Sequence, residues 1–355
     1  MDMDENDLII KFNDRVLITG SNGFIGSSVV ETLLSYGFTK LRCFVRPSSD
    51  LTSLEKIINS SASSRIEIIN GNLLSREDCD KAVQDVSVIF HLAAGIEKTF
   101  PGSFLNSVVT TRNLLDATLQ NGNLKRFINV SSFAVYSGMK IKQGRLLDET
   151  CEVENHSWLR GDAYCYGKVK QDELLLEYHR KHNIPYVIVR PGAVYGPGKH
   201  AITGRIGIGT FGIFMHLGGS NRIPLTYIDN CAEAIVLAGI KKGVDGEIFN
   251  IVDDDLPASR KFLKLYKKNT RDFKSIYIPK WMSYSLCYLW ERYSSWSEGQ
   301  FAPVFNRSRW AAEWKGHAYS NEKLKKMLGW TPKVPFTEAT KRYFDYIKEC
   351  ENKHD

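Results

Sequence analysis

The chain has 355 residues, of which 43% are hydrophobic and 25% are charged, as in ordinary globular proteins. This composition excludes disorder, a collagen repeat and a coiled coil as the main architecture, and the length predicts about two domains. The formal net charge of +7 is too diffuse to predict nucleic-acid binding. The seven cysteines are scattered without a Cys-x-x-Cys pair, which excludes a disulfide scaffold and a metal cluster.

Neither a targeting segment nor a membrane-spanning segment is expected. The first residues, MDMDEND, are acidic and differ from the basic start of a signal peptide. No apolar run reaches the length of about 18 residues that a spanning helix needs. Together with reduced cysteines, these features predict a cytoplasmic protein.

Short apolar runs alternate with helix-length stretches in the first half of the chain. The predicted strands are Arg15–Thr19, Leu41–Val45, Arg65–Ile69, Ser87–His91, Arg126–Val130 and Tyr186–Arg190. This alternation is typical of βαβ units and predicts an α/β fold with a parallel sheet. After Pro191 the sequence becomes rich in Gly and Pro, and residues 246–252 are a further strand candidate.

The segment Thr19–Gly26 has a predicted strand before it and a predicted helix after it. Its glycines, Gly20, Gly23 and Gly26, suit a tight turn, close approach of a pyrophosphate and helix–strand packing. The N-terminus of the helix offers N–H groups and a partial positive charge to phosphates. The segment therefore predicts a dinucleotide site that also includes Asn22, Phe24 and Ile25.

The G-x-x-G-x-x-G spacing resembles that of the extended short-chain dehydrogenase/reductases, the epimerase/dehydratase superfamily. Similar motifs follow at Gly71–Leu73, Phe90–Ala94, Val130–Tyr136, Tyr164–Lys168, Arg190–Gly198 and Tyr227–Ala232. The segments Val252–Pro257, Ile278–Tyr284, Tyr319–Leu324 and Leu328–Pro332 resemble the 3β-hydroxysteroid and sterol-carboxylate dehydrogenase branch. The resemblance runs from Arg15 to Tyr346, nearly the whole chain. At Asn72 the sequence departs from the usual Asp.

This resemblance implies a Rossmann-type doubly wound parallel sheet with a smaller C-terminal substrate-binding lobe. We expect the dinucleotide-binding domain at residues 14–190 and the lobe at residues 191–349. One or more segments near residues 225–252 are expected to return to the sheet. Residues 1–13 and 350–355 are expected to be flexible.

The resemblance also implies cofactor contacts at the ends of strands. They are Asn72, Leu73, Leu92, Ala93, Ala94, Tyr164, Lys168, Pro191 and Val194. The second strand ends at Val45, where NAD-binding relatives carry an Asp that binds the adenosine ribose. Arg46 follows and can pair with the 2′-phosphate of NADP, or it is simply a solvent-facing strand end. We predict NADP as the cofactor, with NAD as the alternative.

Tyr164 and Lys168 stand four residues apart in a helical segment, which places them on one helix face. A free phenol titrates near pH ~10, and a nearby ammonium favours the phenolate. Tyr164 is therefore predicted to exchange a proton with a substrate hydroxyl. The resemblance implies that Lys168 also binds the nicotinamide ribose, and that Ser132, not Ser131, holds the substrate oxygen. His91 is interpreted as structural.

Phe133 and Ala134 follow Ser132, where the resemblance implies Asp and Glu in nucleotide-sugar 4,6-dehydratases. Neither side chain can move a proton, so elimination of water is not expected. The predicted function is an NAD(P)-dependent oxidoreductase that interconverts a secondary alcohol and a ketone, 3β-hydroxysteroid-dehydrogenase-like. The alternatives are a nucleotide-sugar epimerase or reductase and a non-catalytic cofactor-binding scaffold.

The expected substrate is a small molecule, either a sterol-like alcohol or a nucleotide sugar. Candidate contacts for a diphosphate are Arg205, Arg222, Arg307 and Arg309. Residues 281–290 are strongly aromatic, and the preferred interpretation is a buried helix of the lobe. The alternative is an amphipathic segment that makes a peripheral membrane contact. Homodimer formation is left open, and neither a metal nor a nucleic acid is expected.

Overall fold

The computed structural model describes residues 5–60, 65–95, 97–210, 212–270, 273–298, 300–302 and 305–352. The strands are β1 (Arg15–Thr19), β2 (Lys40–Val45), β3 (Arg65–Asn70), β4 (Val86–His91), β5 (Arg126–Val130), β6 (Leu146–Leu147), β7 (Tyr186–Pro191), β8 (Ala193–Tyr195), β9 (Gly207–Thr210), β10 (Ile213–His216), β11 (Leu225–Tyr227), β12 (Ile248–Ile251), β13 (Ser275–Tyr277) and β14 (Ala318–Tyr319). The α-helices are α1 (Phe24–Ser35), α2 (Thr52–Ser60), α3 (Arg76–Val83), α4 (Phe100–Ser103), α5 (Thr110–Asn121), α6 (Ala163–His182), α7 (Ile228–Ile240), α8 (Ser259–Asn269), α9 (Lys280–Trp296), α10 (Arg307–Glu313), α11 (Glu322–Leu328) and α12 (Phe336–Glu351). Short 3₁₀ turns cover Glu5–Asp7, Phe133–Val135 and Ser157–Arg160, and a π-helical segment covers Phe104–Val109.

The main sheet has seven parallel strands in the order β12-β7-β5-β4-β1-β2-β3. The strand order reverses at β1, between β2 and β4, which is the switch point of a doubly wound sheet. The predicted fold class is therefore confirmed. The strands at Arg15–Thr19 and Arg126–Val130 have the predicted bounds, and the other four differ by one residue at one end.

Side chains of β1 alternate between two apolar layers, as the period of a strand requires. Val16 and Ile18 enter the larger layer, which joins the sheet to α1, α7, α8, α11 and α12. Leu17 enters the opposite layer, with α3, α5 and α6. Helix α7 is apolar on all sides, and every residue of it except Asp229 is buried, because it lies between the sheet and the helices beyond.

The chain also forms three smaller sheets, mostly from strands after β7. Strand β8 pairs in parallel with β11, β10 pairs with β9 and β13, and β6 pairs with β14. Strand β12 then returns to the edge of the main sheet beside β7. A separate apolar cluster that includes Cys287, Trp310 and Trp314 holds α9 and α10 together.

Residues 5–13, for which the sequence predicts flexibility, pack against the core of the sheet. Leu8 and Ile10 are buried in the larger apolar layer, at 4% and 2% exposure. The backbone N–H of Ile9 donates to the carbonyl oxygen of Ile240 at 2.9 Å, at the end of α7. The side chains of Leu8 and Ile10 attach the segment to the core.

The flexibility expected for residues 350–355 stays a prediction. Helix α12 continues to Glu351, so Cys350 is helical. The expectation for residues 1–4 and 353–355 lies outside the described residues.

Candidate active site

The glycine turn lies between β1 and α1, at the switch point of the sheet. Gly20 has a φ of +69°, in the left-handed region that favours glycine. A Cβ on Gly26 would lie 2.0 Å from the carbonyl oxygen of Gly20, so α1 packs on the turn too closely for a side chain. Gly23 is exposed at the N-terminus of α1, where N–H groups and the helix dipole attract phosphate. This backbone cradle fits the pyrophosphate of a dinucleotide.

Most of the other predicted cofactor residues follow strands of the main sheet, whose carboxyl ends meet at this edge, and Val194 lies in the short strand just after β7. Asn72 and Leu73 follow β3, Leu92, Ala93 and Ala94 follow β4, Pro191 ends β7, and Val194 is in β8. The side-chain oxygen of Asn72 accepts a hydrogen bond from the N–H of Leu74 at 3.0 Å, so this amide is turned toward its own backbone.

The loop after β2 lies next to the glycine turn. The side-chain amide of Asn22 donates to the carbonyl oxygen of Asp50 in this loop at 3.4 Å. The Asp50 carboxylate accepts from the N–H and hydroxyl of Thr52, at 2.9 and 2.6 Å, and these bonds lower its pKa. Asp50, the first acidic residue after β2, thus binds the start of α2. Val45 is buried, and Arg46 is the exposed cation at the end of β2.

The structure brings Ser132, Tyr164 and Lys168 together at the carboxyl end of β5. Ser132 lies beside Tyr164, where its hydroxyl favours the phenolate. Lys168 lies one helical turn after Tyr164 on α6, and its amine donates to the carbonyl oxygen of Val130 at 2.6 Å. Ser131 points the other way, into a buried polar layer. The three side chains form one group at the edge of the sheet where the glycine turn also lies.

Burial controls the proton affinity of this group. It lowers the pKa of Lys168 to about 8. Burial also raises the pKa of Tyr164, although the Ser132 hydroxyl acts in the opposite direction. The sequence predicts instead that the lysine favours the phenolate. The difference arises because desolvation dominates at Tyr164, while the Lys168 amine donates to the carbonyl oxygen of Val130 and to the Gln171 side-chain oxygen, the latter at 3.0 Å.

A buried ion pair lies one turn beyond Lys168 on α6. The Asp172 carboxylate accepts hydrogen bonds from Asn129 at 2.8 Å, Ser131 at 2.9 Å and Arg190 at 3.1 Å. The Asp172 and Arg190 side chains are only 4% and 3% exposed. Burial raises the pKa of Asp172, and the Arg190 guanidinium opposes this rise. The pair therefore fixes β5, α6 and β7 to one another beneath the site.

The four arginines considered for a diphosphate each have a partner within the protein. Arg205 donates to the carbonyl of Ala312 at 3.1 Å, Arg222 to that of Leu256 at 2.7 Å, and Arg307 and Arg309 pair with Glu291 and Glu313. A diphosphate would therefore compete with these partners. The described residues also contain no group of three or more His, Cys, Asp or Glu side chains suited to a metal ion.

Helix α9 carries an exposed aromatic face, which contradicts the preferred interpretation of residues 281–290 as a buried helix. Trp281 and Trp296 are 73% and 76% exposed, and Leu289 is 61% exposed. The side of α9 that packs on α10 has small residues such as Ser283, whose hydroxyl accepts from the Trp310 indole at 2.9 Å. Among the described residues, no helix is long and apolar enough to cross a bilayer.

Sequence reasoning missed three buried polar residues around Lys168, namely Thr111, Gln171 and Asp172. Gln171 and Asp172 come three and four residues after the lysine, so helical spacing alone is a signal that they share its side. Thr111 lies on α5, and only tertiary packing brings it to Gln171. His91, interpreted as structural, lies between Thr19 and Thr111 with hydrogen bonds of 2.8 and 2.9 Å.

A parallel sheet with a glycine turn at its switch point defines a Rossmann-type dinucleotide-binding protein. The chain belongs to the NAD dependent epimerase/dehydratase family, whose model matches residues 16–252. It is therefore an enzyme of a family that comprises oxidoreductases, epimerases and dehydratases. The resemblance stated from the sequence motifs is confirmed.

Relatives of the chain divide between sterol and nucleotide-sugar enzymes. The chain is 25% identical to a sterol-4-alpha-carboxylate 3-dehydrogenase, decarboxylating, of Mus musculus, over 92% of this chain and 89% of that protein. It is 28% identical to a trifunctional UDP-glucose 4,6-dehydratase/UDP-4-keto-6-deoxy-D-glucose 3,5-epimerase/UDP-4-keto-L-rhamnose-reductase of Arabidopsis thaliana, over 67% of this chain and 36% of that protein. The structure of UDP-glucuronic acid 4-epimerase from Bacillus cereus in complex with NAD has a TM-score of 0.70 at 23% identity, covering 95% of this chain and 99% of that chain. This structural similarity supports the fold.

Proposed function

We propose that the protein is an NAD(P)-dependent oxidoreductase that interconverts a secondary alcohol and a ketone, 3β-hydroxysteroid-dehydrogenase-like. The observation that carries the proposal is that the Ser132 hydroxyl lies beside Tyr164 and favours its phenolate, with the buried Lys168 one turn further along α6. This group lies at the same edge of the sheet as the glycine turn. A substrate held by these side chains and a dinucleotide bound at the turn therefore share one edge.

Each of the three residues has a distinct role in this proposal. The nicotinamide, when bound, supplies hydride chemistry. Ser132 orients the substrate oxygen by a hydrogen bond, and Tyr164 exchanges a proton with that oxygen. Because burial keeps the proton on Tyr164, its phenol is ready to protonate a ketone oxygen. In the opposite direction, the Lys168 charge stabilises the phenolate that must take the alcohol proton.

NADP is the proposed cofactor, and NAD is the alternative. Arg46 is exposed at the end of β2, and buried Val45 provides no acceptor for two ribose hydroxyls. The residues proposed to hold the dinucleotide are those of the glycine turn and the strand ends, Gly20, Asn22, Gly23, Phe24, Ile25, Gly26, Arg46, Asn72, Leu73, Leu92, Ala93, Ala94, Tyr164, Lys168, Pro191 and Val194. An argument for NAD is that structural neighbours were solved with NAD bound.

The proposed substrate is a sterol-like alcohol, and the rival is a nucleotide sugar. The similarity to the sterol dehydrogenase extends over 92% of the chain, whereas that to the trifunctional sugar enzyme covers 67%. Phe133 is buried beside Ser132, and neither it nor Ala134 can act as the acid or base of a dehydratase. Arg205 and Arg222 already donate to the carbonyl oxygens of Ala312 and Leu256, which argues against a preformed diphosphate clamp.

The test is a panel of secondary alcohols, which includes 3β-hydroxysterols, sterol-4-carboxylates and UDP-sugars. Each is incubated with the protein and either NADP⁺ or NAD⁺, and the absorbance of the reduced nicotinamide is followed. We expect reduction with a ring alcohol and no 4-keto-6-deoxy product from a UDP-hexose. Epimerisation of a UDP-sugar without net reduction would favour the rival function. Cofactor binding without turnover of any substrate would favour the non-catalytic scaffold.

We further propose that the enzyme is cytoplasmic and contacts a membrane surface through residues 281–290. The support is the exposed aromatic face of α9, with Trp281 at its start and the exposed Arg292 near its end. Aromatic side chains favour the level of lipid headgroups, and a basic residue adds attraction to anionic lipids. A sterol substrate partitions into the same membrane. A homodimer stays a prediction.

A further inference from the structure

A chain of buried hydrogen bonds begins at the amine of Lys168. This amine donates to the side-chain oxygen of Gln171 at 3.0 Å. The side-chain amide of Gln171 donates to the hydroxyl of Thr111 on α5 at 2.8 Å. The same hydroxyl meets Nε2 of His91, at the end of β4, at 2.9 Å. Thr111, His91 and Gln171 are fully buried, so no water competes for these bonds.

The chain of hydrogen bonds continues to the glycine turn. Nδ1 of His91 lies 2.8 Å from the hydroxyl of Thr19, the residue before Gly20. The Thr19 hydroxyl also accepts from the backbone N–H of Ala93 at 3.3 Å. Gly20 and Ala93 are both residues that we propose to contact the cofactor. One end of this series of hydrogen bonds is therefore at the proposed dinucleotide site, and the other end is at Lys168.

The donors and acceptors in this series of hydrogen bonds fix the tautomer of His91. The Thr111 hydroxyl donates to the carbonyl oxygen of Ser107 at 2.5 Å, so it can only accept from Gln171 and from His91. His91 therefore carries its proton on Nε2, and its Nδ1 accepts from the Thr19 hydroxyl. Every hydroxyl and amide of the chain then has a single consistent role.

His91 remains neutral in this arrangement. Burial lowers its pKa to about 3, and the positive charge of Lys168 acts in the same direction. Its ring also packs against Phe127, with ring centroids 5.5 Å apart. Lys168 itself faces Asp172 on its own helix, and Arg190 of β7 pairs with that carboxylate. The histidine thus acts as a fixed donor and acceptor and not as a titrating base.

We propose that His91, Thr111 and Gln171 are positioning residues that hold the amine of Lys168 in a fixed position relative to the glycine turn. We name this set the β4–α6 relay. It rests on the proposed function, because it acts through Lys168. Gln171 provides the acceptor that orients the amine toward the site, and Thr111 and His91 hold the Gln171 amide in place. Without the relay, Val130 is the remaining partner that we identify for the amine.

The test measures Lys168 directly, so it does not depend on a substrate. Protein labelled with ¹³C at lysine Cε is titrated by NMR, and the Lys168 signal is assigned by its loss in Lys168→Arg. Loss of a hydrogen bond to the ammonium disfavours the charged form. We expect Gln171→Met to lower the Lys168 pKa by about one unit. We expect Thr111→Val, which keeps the side-chain shape, to lower it by less.

Two further variants separate positioning from packing. His91→Gln keeps one donor and one acceptor and should preserve the Lys168 titration. Lys170→Met alters a part-exposed residue of α6 that pairs with Glu173, and it should leave the titration unchanged. An unchanged Lys168 titration in both Gln171→Met and Thr111→Val would overturn the relay. So would an Nδ1–H tautomer of His91 in ¹⁵N NMR.

Activity gives a second readout that distinguishes the relay from the proposed function. If wild type oxidises a secondary alcohol, Gln171→Met should lower kcat about tenfold and move the basic limb of the pH profile to lower pH. If the Lys168 titration moves as expected but wild type oxidises no alcohol, the relay stands and the proposed reaction fails. If wild type is active and the titration does not move, the relay alone fails.

Discussion

Tyr164 and Tyr166 lie two residues apart on α6, and it is Tyr164 whose hydroxyl lies beside Ser132. Tyr166 instead packs edge-on against Phe100, with ring centroids 5.3 Å apart. Tyr164→Phe should lower turnover by about two orders of magnitude or more, the scale of lost acid–base catalysis, and leave cofactor affinity almost unchanged. Tyr166→Phe is the matched control and should stay near wild type. Steady-state rates on the best alcohol decide this, and equal rates for both variants would contradict the role of Tyr164.

Arg46 and Lys40 stand at opposite ends of β2, and both are exposed cations. A 2′-phosphate near Arg46 gains a charge-assisted hydrogen bond, and roughly 1.4 kcal/mol is tenfold in affinity. NADP should therefore bind about tenfold more tightly than NAD. Arg46→Ala should remove most of this difference, whereas Lys40→Ala should keep it. Titration calorimetry measures both affinities.

Salt provides an independent check on Arg46. Because the additional attraction for NADP is a charge pair near the surface, raised ionic strength should weaken NADP binding more than NAD binding. Tighter binding of NAD by wild type, or an unchanged NADP affinity in Arg46→Ala, would mean that Arg46 only faces solvent.

Lys168 is a buried cation, and its charge should make stability depend on pH. Burial lowers its pKa from the ordinary 10.5 to about 8, so the unfolded chain binds more protons between these values. Stability therefore rises with pH through this window. The difference corresponds to on the order of 3 kcal/mol. Relative to Lys168→Met, the free energy of unfolding of wild type should rise between about pH 7 and about pH 10 in urea titrations. Lys170→Met should show no such change, and a flat difference for Lys168→Met would contradict the buried charge.

At the scale of elements, the exposed face of α9 predicts binding to lipid vesicles. Replacing Trp281, Leu286 and Leu289 by Ser removes three exposed apolar side chains from this face. Vesicle flotation should show at least a tenfold loss of binding, because affinity follows the buried apolar area. Turnover of a sterol in vesicles should fall with it, while turnover of a water-soluble alcohol should not.

The control for this experiment uses leucines of similar exposure on other elements. Leu105, Leu119 and Leu146 are 48%, 41% and 47% exposed. Their replacement by Ser should leave vesicle binding unchanged. Equal loss in both triple variants, or no binding by wild type to neutral and anionic vesicles, would contradict the membrane contact.

The elements differ in how well the sequence predicts them, and burial explains the difference. Strands such as Arg126–Val130 are covered on both faces, so their continuous apolar runs mark them clearly. The glycine turn was predicted because its function requires particular residues in a particular order. Helix α9 and the segment around Leu8 carry apolar residues whose burial depends on partners remote in sequence. Residues 281–290 were therefore wrongly predicted to be buried, and the packing of Leu8 and Ile10 in the core was not predicted.

The same distinction holds within the site. Ser132, Tyr164 and Lys168 were predicted from local spacing and from the resemblance. The β4–α6 relay was not, because its contacts join β4, α5 and α6. Arg190 and Asp172 likewise meet only in the folded chain, at 3.1 Å. Local patterns therefore indicate which residues react, whereas the residues that hold them emerge from tertiary packing.

At the scale of the whole molecule, one apolar layer joins the parts predicted as two domains. Val30 of α1, Ile235 of α7, Phe262 of α8 and Tyr343 of α12 all belong to it. Because this layer is shared, we expect the parts to unfold together in a single transition. Six of the seven tryptophans lie at 281–330, so their fluorescence reports on the C-terminal part, while far-UV circular dichroism reports on the whole chain.

The segment around Leu8 provides the strongest test of this shared core. Leu8→Ala and Ile10→Ala each remove a buried side chain, at a cost of about 2–5 kcal/mol in the free energy of unfolding. Although the changes lie near the N-terminus, the tryptophan and circular dichroism midpoints should fall together, because the loss is transmitted through the layer beside α7. Lys11→Ala, an exposed neighbour, should leave both midpoints unchanged. A lower circular dichroism midpoint with an unchanged tryptophan midpoint would mean that the C-terminal part unfolds independently of the sheet.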